Sequence, residues 1–414
     1  MRVFLIQTAK GLSASSGGYK ANISLLRALR SHGHAAAQIC YGFENEVEYH
    51  AKKAEAKGVR PNVTPSIMTV TLPNGADRDI DISTFTDQDE IHNIGVAVTD
   101  RIRSMVNLFR THIARLDPTH IIFNDPLTMK ATSFLPRSPD VRRVAVIHSA
   151  DELLPFGPLK RGLYGQGFCE AESALLRGVD GIWSVSQAIV EYAWKYGRLE
   201  TTFFVHHPLT YMHPTTRRLP VRRFNVDKDE VGMINPCPPK GLSILLGLAQ
   251  RLPNVKFVTW KSWGTGSSNI ERIRQLPNIQ IEETTRDTEE IWSRIKVLIV
   301  PSLWYEAWGI VITEAQLRGI PVIASDSGGL PEAKIGLPYC IPVKPITGER
   351  SEDGDYVIPE QDIEPWAIAL EKLMTSRADY NGLSELTARK ARKWLQGLDE
   401  DAIEKWLLQM TRPR

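Results

Sequence analysis

Short apolar runs alternate along the first half of the chain with stretches whose apolar positions recur every three or four residues. This periodicity predicts a helix over Ala21–Arg30 and a long helix from Asp87 to Arg115. Residues 43–85 are less regular, and we interpret them as a hairpin insertion. The apolar runs predict strands at Val3–Ile6, Ala36–Cys40, His120–Phe123, Arg143–Ile147 and Gly181–Val185. Such alternation is typical of a mainly parallel sheet with helices on both faces.

The alternation stops around 208–225, where three prolines and four arginines indicate a linker, and then restarts. Further strands are predicted at Glu230–Ile234, Val255–Thr259, Ile279–Glu282, Val297–Val300, Pro321–Ala324 and Tyr339–Pro342. We therefore predict an α/β chain of two doubly wound, Rossmann-like domains in tandem, spanning 1–210 and 211–385. A helical tail, 386–414, is expected to pack back on the N-terminal domain. Because doubly wound sheets bind ligands beyond the carboxyl ends of their strands, we expect the site in the cleft between the domains.

Composition narrows the class of protein. A chain of 414 residues with 42% hydrophobic and 24% charged residues is typical of a soluble globular protein. Its 50 Lys and Arg against 48 Asp and Glu leave a net charge of +2, which offers no electrostatic reason for nucleic-acid or membrane binding. No apolar run approaches the roughly 18 residues of a membrane helix, and the first run is too short for a signal-peptide core. Four scattered cysteines without a CxxC pair favour a reduced, cytoplasmic compartment.

The segment 301–333 holds the most informative chemistry. Glu306 lies in the loop after the predicted strand Val297–Val300, a helix is expected to start near Gly309, and Glu314 falls in its second turn. Such a helix N-terminus presents backbone N–H groups and a positive dipole end to a diphosphate. One carboxylate before the helix can accept hydrogen bonds from sugar hydroxyls, and the second can hold a ribose diol. The spacing of the two glutamates alone means little; the loop, glycines and strands around them indicate a nucleotide-sugar site.

This pattern, Pro-Ser-x-x-x-Glu306-x7-Glu314 followed by GIPVIAS and a Gly-Gly-x-x-Glu turn, resembles the retaining glycosyltransferases of family 4, which have the GT-B fold. The order of elements matches that family over essentially the whole chain. The resemblance implies that Glu306 contacts the donor sugar and Glu314 the ribose. It also implies that main-chain groups of Trp308, Gly309, Ile310 and Val311 bind the sugar and the diphosphate.

A second match is VGMINPCPPKG, residues 231–241, which follows a strand and opens a helix as the family's donor-phosphate loop does. Lys240-Gly241 is present, but Met233 stands where the family usually has Arg, and the spacer is longer. The resemblance therefore implies that Lys240 carries more of the phosphate binding. An exposed lysine at a helix start is the alternative interpretation.

Weaker matches lie in the first half. The resemblance implies that Gly17 and Gly18 bring the backbone to the donor, and that His148, at the end of a strand, lines the site beside the sugar and acceptor. A flexible turn and a satisfied buried histidine are the respective alternatives. Asn124 and Asp125 end the neighbouring strand and can face an acceptor pocket.

Three other features look like sites. His32 and His34, and the pair His206-His207, have no carboxylate or cysteine at ligand spacing, so we do not expect them to bind metal. WGTGSSN, 263–269, resembles a dinucleotide fingerprint but lacks its third glycine, and we expect it to contribute only to nucleotide binding.

We accordingly predict a retaining, metal-independent transferase that moves a sugar from a UDP- or GDP-sugar to a hydroxyl of a small acceptor. Glu306, His148 and Lys240 are its predicted catalytic residues, and no cofactor is expected. The loops 43–85 and 150–168 are expected to bind the acceptor, and Leu153, Leu154, Phe156 and Tyr164 favour a lipophilic one. The alternatives are another GT-B enzyme, such as a sugar-nucleotide epimerase or a polysaccharide synthase, or a non-catalytic nucleotide-sugar-binding protein.

Overall fold

A computed structural model describes the chain in several ranges. They are residues 1–10, 17–41, 68–71, 100–124, 126–133, 135–150, 154, 156–158, 170–208, 211, 218–262, 264–285, 287–347, 349, 351 and 356–411. The chain divides into two compact units, the first of Met1–Thr210 with Glu400–Arg414 and the second of Tyr211–Asp399. Within the described ranges, no helix has the length and apolar character needed to cross a membrane.

The first unit is built on a parallel sheet whose described strands run in the order β3-β2-β1-β4-β5-β6-β7. Its strands are β1 (Arg2–Lys10), β2 (Ala35–Tyr41), β3 (Met68–Thr71), β4 (His120–Phe123), β5 (Arg142–Ile147), β6 (Gly181–Ser184) and β7 (Phe203–Val205). Its helices are α1 (Gly17–Ser31), α2 (Asp100–Leu116), α3 (Pro126–Ser133), α4 (Glu170–Arg177) and α5 (Gln187–Gly197). The strand order reverses between β1 and β4, and a crevice forms at such a point because the following loops diverge to opposite faces.

The core of this unit follows from the sequence periodicity. Helix α1 buries Leu26 and Leu29 against Val3 and Leu5 of β1. Parallel strands covered by helices are buried in this way. Of the irregular segment 43–85, the described part is β3, which pairs in parallel with β2. The rest of that segment, and residues 87–99 of the predicted long helix, lie outside the described residues.

The C-terminal helix, Ala402–Met410, packs along the amino-terminal edge of the first sheet. Leu407 joins the core of α1 and β1, and its carbonyl accepts a hydrogen bond of 2.9 Å from Nε2 of His120, the first residue of β4. Arg142, the first residue of β5, donates from Nε to the carbonyl of Met410 at 2.7 Å. Burial lowers the pKa of His120 to about 4, so its ring is neutral when it makes this contact.

The second unit repeats the architecture with a parallel sheet whose described strands run β10-β9-β8-β11-β12-β13. Its strands are β8 (Glu230–Ile234), β9 (Lys256–Trp260), β10 (Ile279–Glu282), β11 (Ile295–Val300), β12 (Val322–Ser325) and β13 (Cys340–Ile341). Its α-helices are α6 (Leu242–Arg251), α7 (Ser267–Arg274), α8 (Thr288–Arg294), α9 (Ile310–Leu317), α10 (Leu330–Ala333), α11 (Glu364–Thr375) and α12 (Arg377–Gln396). Here the order reverses between β8 and β11.

The boundary drawn at residue 386 from the sequence is wrong, because α12 runs through that position without interruption. Ala388, Ala391 and Leu395 of α12 are buried, and Arg392 donates to the carbonyl of Leu317 at the end of α9. These contacts keep α12 in the second unit. The residues that return to the first unit begin at Glu400.

Candidate functional site

Two loops meet at the carboxyl edge of the second sheet. They follow the adjacent strands β8 and β11, which flank the reversal of strand order. The first loop ends in a 3-10 turn, Pro238–Lys240, and the second leads through Glu306 to helix α9. The backbone N–H groups of Leu303 and Trp304 both donate to the carbonyl of Pro239, at 2.9 and 3.0 Å. The loops are therefore fastened together by main-chain hydrogen bonds, independently of their side chains.

Lys240 and Glu306, predicted from separate motifs, form an ion pair across these loops. Lys240 Nζ donates to Glu306 Oε1 at 2.5 Å, and Ser302 Oγ donates to the same oxygen at 2.7 Å. The two paired side chains are 24% and 16% exposed, so both charges are largely withdrawn from water. Hydrogen bonds to charged groups contribute more to stability than neutral ones, about 1.5–3 kcal/mol each. The structure thus brings together a cation and a carboxylate that are each partly exposed.

Gly328, in the turn after β12, sets the position of Glu306. The Gly329 N–H donates to the carbonyl of Glu306 at 2.7 Å, and Gly328 has φ of 60°. A Cβ at Gly328 would lie 2.3 Å from the Glu306 carbonyl oxygen and 2.6 Å from its nitrogen. Glycine is needed here because both the backbone conformation and the close approach exclude a side chain.

Helix α9 begins directly after this loop. Gly309 is its N-cap, and the N–H of Ile312 donates to the Gly309 carbonyl at 3.0 Å. Ile310 and Val311 occupy the first turn, where backbone N–H groups have no partner within the helix, and both are half-buried. Glu314 lies one turn further on and is also half-buried. The main-chain groups predicted to bind a diphosphate are thus at a helix N-terminus, a geometry suited to anions.

The Trp308 side chain has a packing role. It is 3% exposed, its Nε1–H donates to the hydroxyl of Tyr211 at 2.7 Å, and its ring stacks on Trp394 with centroids 5.7 Å apart. Burial raises the pKa of the Tyr211 hydroxyl, which therefore stays neutral as the acceptor. Any ligand contact at Trp308 is left to its main chain, as the sequence motif implies.

The glycine-containing loop after β9 is tied to the loop after β8. The Gly264 N–H donates to Asn235 Oδ1 at 3.2 Å, and Asn235 itself adopts a left-handed conformation with φ of 61°. This puts the 264–266 stretch beside the Lys240 loop. Trp263, which precedes it, lies outside the described residues.

In the first unit, the structure brings together Gly18 and His148. A Cβ at Gly18 would lie 2.9 Å from His148 Cδ2, so the first turn of α1 can contact the imidazole only because residue 18 has no side chain. His148 directly follows β5 and packs edge-on against Trp183, with ring centroids 5.6 Å apart. Burial lowers the pKa of His148 to about 4, so the ring is neutral near pH 7.

Asn22 determines which nitrogen of His148 carries the proton. Its Nδ2 donates to Asn124 Oδ1 at 2.8 Å and to Gln7 Oε1 at 3.2 Å. The remaining Asn22 Oδ1 can only accept, and it lies 2.8 Å from His148 Nε2. The neutral imidazole is therefore protonated on Nε2, which leaves Nδ1 as a hydrogen-bond acceptor.

Other predicted acceptor residues have different outcomes. Asn124 belongs to this network, whereas Asp125, Leu153 and Tyr164 lie outside the described residues. Leu154 and Phe156 are buried. The Phe156 ring packs against Gly197, and the Phe156 carbonyl accepts a hydrogen bond from the Tyr192 hydroxyl at 3.2 Å. Both side chains are buried in the first unit, and the acceptor pocket stays a prediction.

His32 and His34 meet a carboxylate that is distant in sequence. His34 Nε2 lies 2.7 Å from Glu404 Oε1, and His32 Nδ1 contacts Glu404 Oε2. Glu404 is 370 residues away from His34 in sequence, beyond any ligand-spacing pattern.

Ser302 and Asn22 are the main residues that sequence reasoning missed. Ser302 appears in the Pro-Ser motif but received no role, although its hydroxyl fastens Glu306. Asn22 is a polar residue on the otherwise apolar face of α1, 1% exposed. A buried amide in a helix needs hydrogen-bond partners, and that requirement was the available signal.

Part of the chain matches a family model and curated proteins. Residues 231–376 match the family model described as glycosyl transferases group 1. This segment contains both Lys240 and Glu306. The chain is 27% identical over 162 residues to a D-inositol 3-phosphate glycosyltransferase of Mycobacterium marinum. The alignment covers 37% of this chain, and the chain spans just under a third of that relative's length, 31%.

Solved structures resemble the chain over nearly its whole length. Sucrose-phosphate synthase from Thermosynechococcus elongatus superposes with a TM-score of 0.67 at 18% identity, covering 99% of this chain and 97% of that one. HepE from Anabaena, solved in complex with UDP-glucose, superposes with a TM-score of 0.60 at 14% identity, covering 99% of both chains. The predicted fold class is confirmed: the chain has two Rossmann-like units of the GT-B type.

Proposed function

We propose that this protein is a retaining glycosyltransferase that moves a sugar from a nucleotide-sugar to a hydroxyl of a small acceptor. The observation that carries the proposal is the Lys240–Glu306 pair, held at 2.5 Å beside the N-terminus of α9. A cation and a helix N-terminus bind a diphosphate, and a carboxylate accepts hydrogen bonds from sugar hydroxyls. The glycosyl transferases group 1 match over residues 231–376 supports it, since that segment includes all three.

The ion pair suggests how a donor would bind. A diphosphate competes with Glu306 for Lys240, because both are anions within reach of one ammonium group. As Lys240 turns to the phosphates, the Glu306 carboxylate becomes available to sugar hydroxyls, while Ser302 still holds it in place. The N–H groups of Ile310 and Val311 then complete the diphosphate site, and Glu314 receives the ribose.

Departure of the nucleoside diphosphate is the step these groups assist. Negative charge develops on the leaving oxygen, and Lys240 together with the helix dipole stabilises it. These charges give the enzyme a route that needs no metal or other cofactor, which we include in the proposal. We assign no protein nucleophile. The acceptor hydroxyl attacks from the face that the diphosphate leaves, which preserves the anomeric configuration, and its proton passes to the departing diphosphate.

The first unit supplies the acceptor-binding residues of the proposal. His148 offers Nδ1 as a hydrogen-bond acceptor to a hydroxyl, and Asn124 lies in the same network. Gly17 and Gly18 begin α1, where backbone N–H groups have no partner within the helix. The relative named D-inositol 3-phosphate glycosyltransferase supports a polyhydroxylated acceptor.

UDP- and GDP-sugars are the proposed donors, UDP being supported by the complex of HepE with UDP-glucose. The first test is a thermal unfolding series of the full chain with UDP, GDP, ADP and their hexose conjugates. A ligand that binds only the folded protein raises the unfolding midpoint with concentration, so the correct base should stand out. If none of these nucleotides raised the unfolding midpoint, the proposal would be contradicted.

The second test is Glu306→Gln, which keeps the side-chain shape and removes the charge. We expect at least a 100-fold loss of nucleoside diphosphate release with donor and acceptor present, since the charge meets the donor sugar. Glu385→Gln is the matched control, because Glu385 pairs with Arg222 at 2.5 Å on the surface of the same unit. Near-normal turnover of Glu306→Gln would exclude Glu306 from the reaction. If the unmodified protein bound nucleotide without turning over the donor, a non-catalytic binding protein would be favoured.

A further inference from the structure

Two segments distant in sequence place histidine and carboxylate side chains together in the first unit. His32 and His34 lie in the turn between α1 and β2. Asp401 is the N-cap of the C-terminal helix, and Glu404 lies in that helix's first turn. Ligand atoms of His32, Asp401 and Glu404 all lie within 4.8 Å of one another.

The two oxygens of Glu404 have separate partners. Oε1 accepts a hydrogen bond from His34 Nε2 at 2.7 Å, while Oε2 faces His32 Nδ1. Asp401 Oδ1 lies 4.0 Å from the same His32 nitrogen. Ligand atoms bound to one Zn²⁺ at about 2.0–2.2 Å stand roughly 3–4 Å apart. The Asp401–His32 distance matches that spacing, whereas the hydrogen-bonded atoms of His32 and Glu404 are closer and must separate to admit an ion.

The pattern also matches how metal ligands are held in proteins. A carboxylate that binds a metal through one oxygen is commonly oriented by a hydrogen bond to the other. His34 makes such a bond to Glu404, whose side chain is 17% exposed.

Both segments are fixed by the fold before any ion arrives. The C-terminal helix is anchored by Leu407 in the core and by Arg142 at its last turn. The turn carrying the histidines is held between α1 and β2, with the His34 N–H donating to the Leu29 carbonyl at 3.0 Å. Ligands on rigid elements lose little entropy when they coordinate an ion.

We propose that His32, Asp401 and Glu404 bind a divalent transition-metal ion, Zn²⁺ by chemical preference, with His34 orienting Glu404. One imidazole and two carboxylates suit Zn²⁺, Co²⁺ or Ni²⁺ better than Mg²⁺, which selects oxygen ligands and octahedral geometry. Three protein ligands leave a coordination position for water. The ion fastens the C-terminal helix to the first unit, at the edge of the sheet opposite His148, so its role is structural and separate from sugar transfer.

The test uses the full chain, freed of any affinity tag and stripped of metal by a chelator, with ZnCl₂ as the probe. Calorimetric titration should give one Zn²⁺ per chain, and CoCl₂ should produce visible absorption bands of a bound ion. Zn²⁺ should also slow amide hydrogen exchange in Ala402–Met410 and leave exchange in the second unit unchanged. MgCl₂ should show no binding in the calorimeter and should leave amide exchange in Ala402–Met410 unchanged.

Variants separate a built site from nonspecific surface binding. Glu404→Gln and Asp401→Asn should each weaken Zn²⁺ binding more than 100-fold, and His34→Gln by 10- to 100-fold, the usual loss for an orienting residue. Two controls in the same unit, His112→Asn and Glu170→Gln, should bind as the unmodified chain does. Failure of the unmodified chain to bind Zn²⁺, or equal binding by Glu404→Gln, would overturn the proposal and leave the contacts as a histidine–carboxylate ion pair.

Discussion

Replacing Gly328 by alanine tests whether the turn after β12 positions Glu306. The added Cβ would lie 2.3 Å from the Glu306 carbonyl oxygen, well inside ordinary contact distance, and that atom is backbone that cannot rotate away. The φ of 60° at Gly328 adds a second cost, because a left-handed conformation disfavours a side chain by about 1–2 kcal/mol.

The magnitude follows from these two costs. Overpacking against rigid atoms costs about 1–3 kcal/mol. Together with the conformational cost, Gly328→Ala should lower the free energy of unfolding of the second unit by about 2–5 kcal/mol. Relief of the clash requires the Glu306 backbone to shift, so the proposed sugar transfer should also fall.

Gly336→Ala is the matched control. Gly336 has φ of 69°, similar to Gly328, but a Cβ there would meet only the flexible end of Lys390 at 3.6 Å. This variant should show the conformational cost alone, about 1–2 kcal/mol. Urea unfolding measures the free energy of unfolding of both variants. Because Gly336 lies in the second unit, the transition that Gly336→Ala shifts is the one that belongs to this unit. If Gly328→Ala were no less stable than Gly336→Ala and kept full activity, the argument that this turn positions Glu306 would be refuted.

Two further predictions concern buried polar groups. Asn22→Asp should raise the pKa of His148 from about 4 into the range of pH 5–8, because a carboxylate favours the charged ring; a flat NMR titration of His148 in this variant would contradict the assigned network. Burial lowers the pKa of Lys334 from 10.5 to about 7, so between these pH values the unfolded chain binds more protons and the free energy of unfolding should rise with pH. Lys334→Met should remove that rise, and parallel pH curves for the two proteins would show that Lys334 titrates normally.

Much of the fold was predictable because local periodicity and burial agree. Strands such as His120–Phe123 and Glu230–Ile234 occur with the predicted bounds, since apolar runs between turn residues have few other solutions in a helix-covered sheet. The short strand Phe203–Val205 was not predicted, because three residues carry too little periodicity. The predicted tail boundary was wrong for a related reason: α12 has no break in its pattern at 386.

Some features of the candidate site were also predictable from the sequence, and others were not. Lys240 and Glu306 were found from motifs, because each follows a strand and precedes a helix where parallel sheets bind ligands. Their ion pair was not predictable, because it depends on which two strands lie side by side. The protonation of His148 likewise depends on Asn22, Gln7 and Asn124, which come from α1, β1 and the loop after β4.

By itself the sequence determined the two Rossmann-like units and the residues at the ends of their strands. Those properties depend on interactions between residues near in sequence, so a local pattern carries them. Only the tertiary structure decided that Glu404 meets His32 and His34, and that Phe156 is core. Such contacts join residues hundreds of positions apart or depend on complete burial, and a hydrophobic pattern specifies which face of an element is covered without specifying by what.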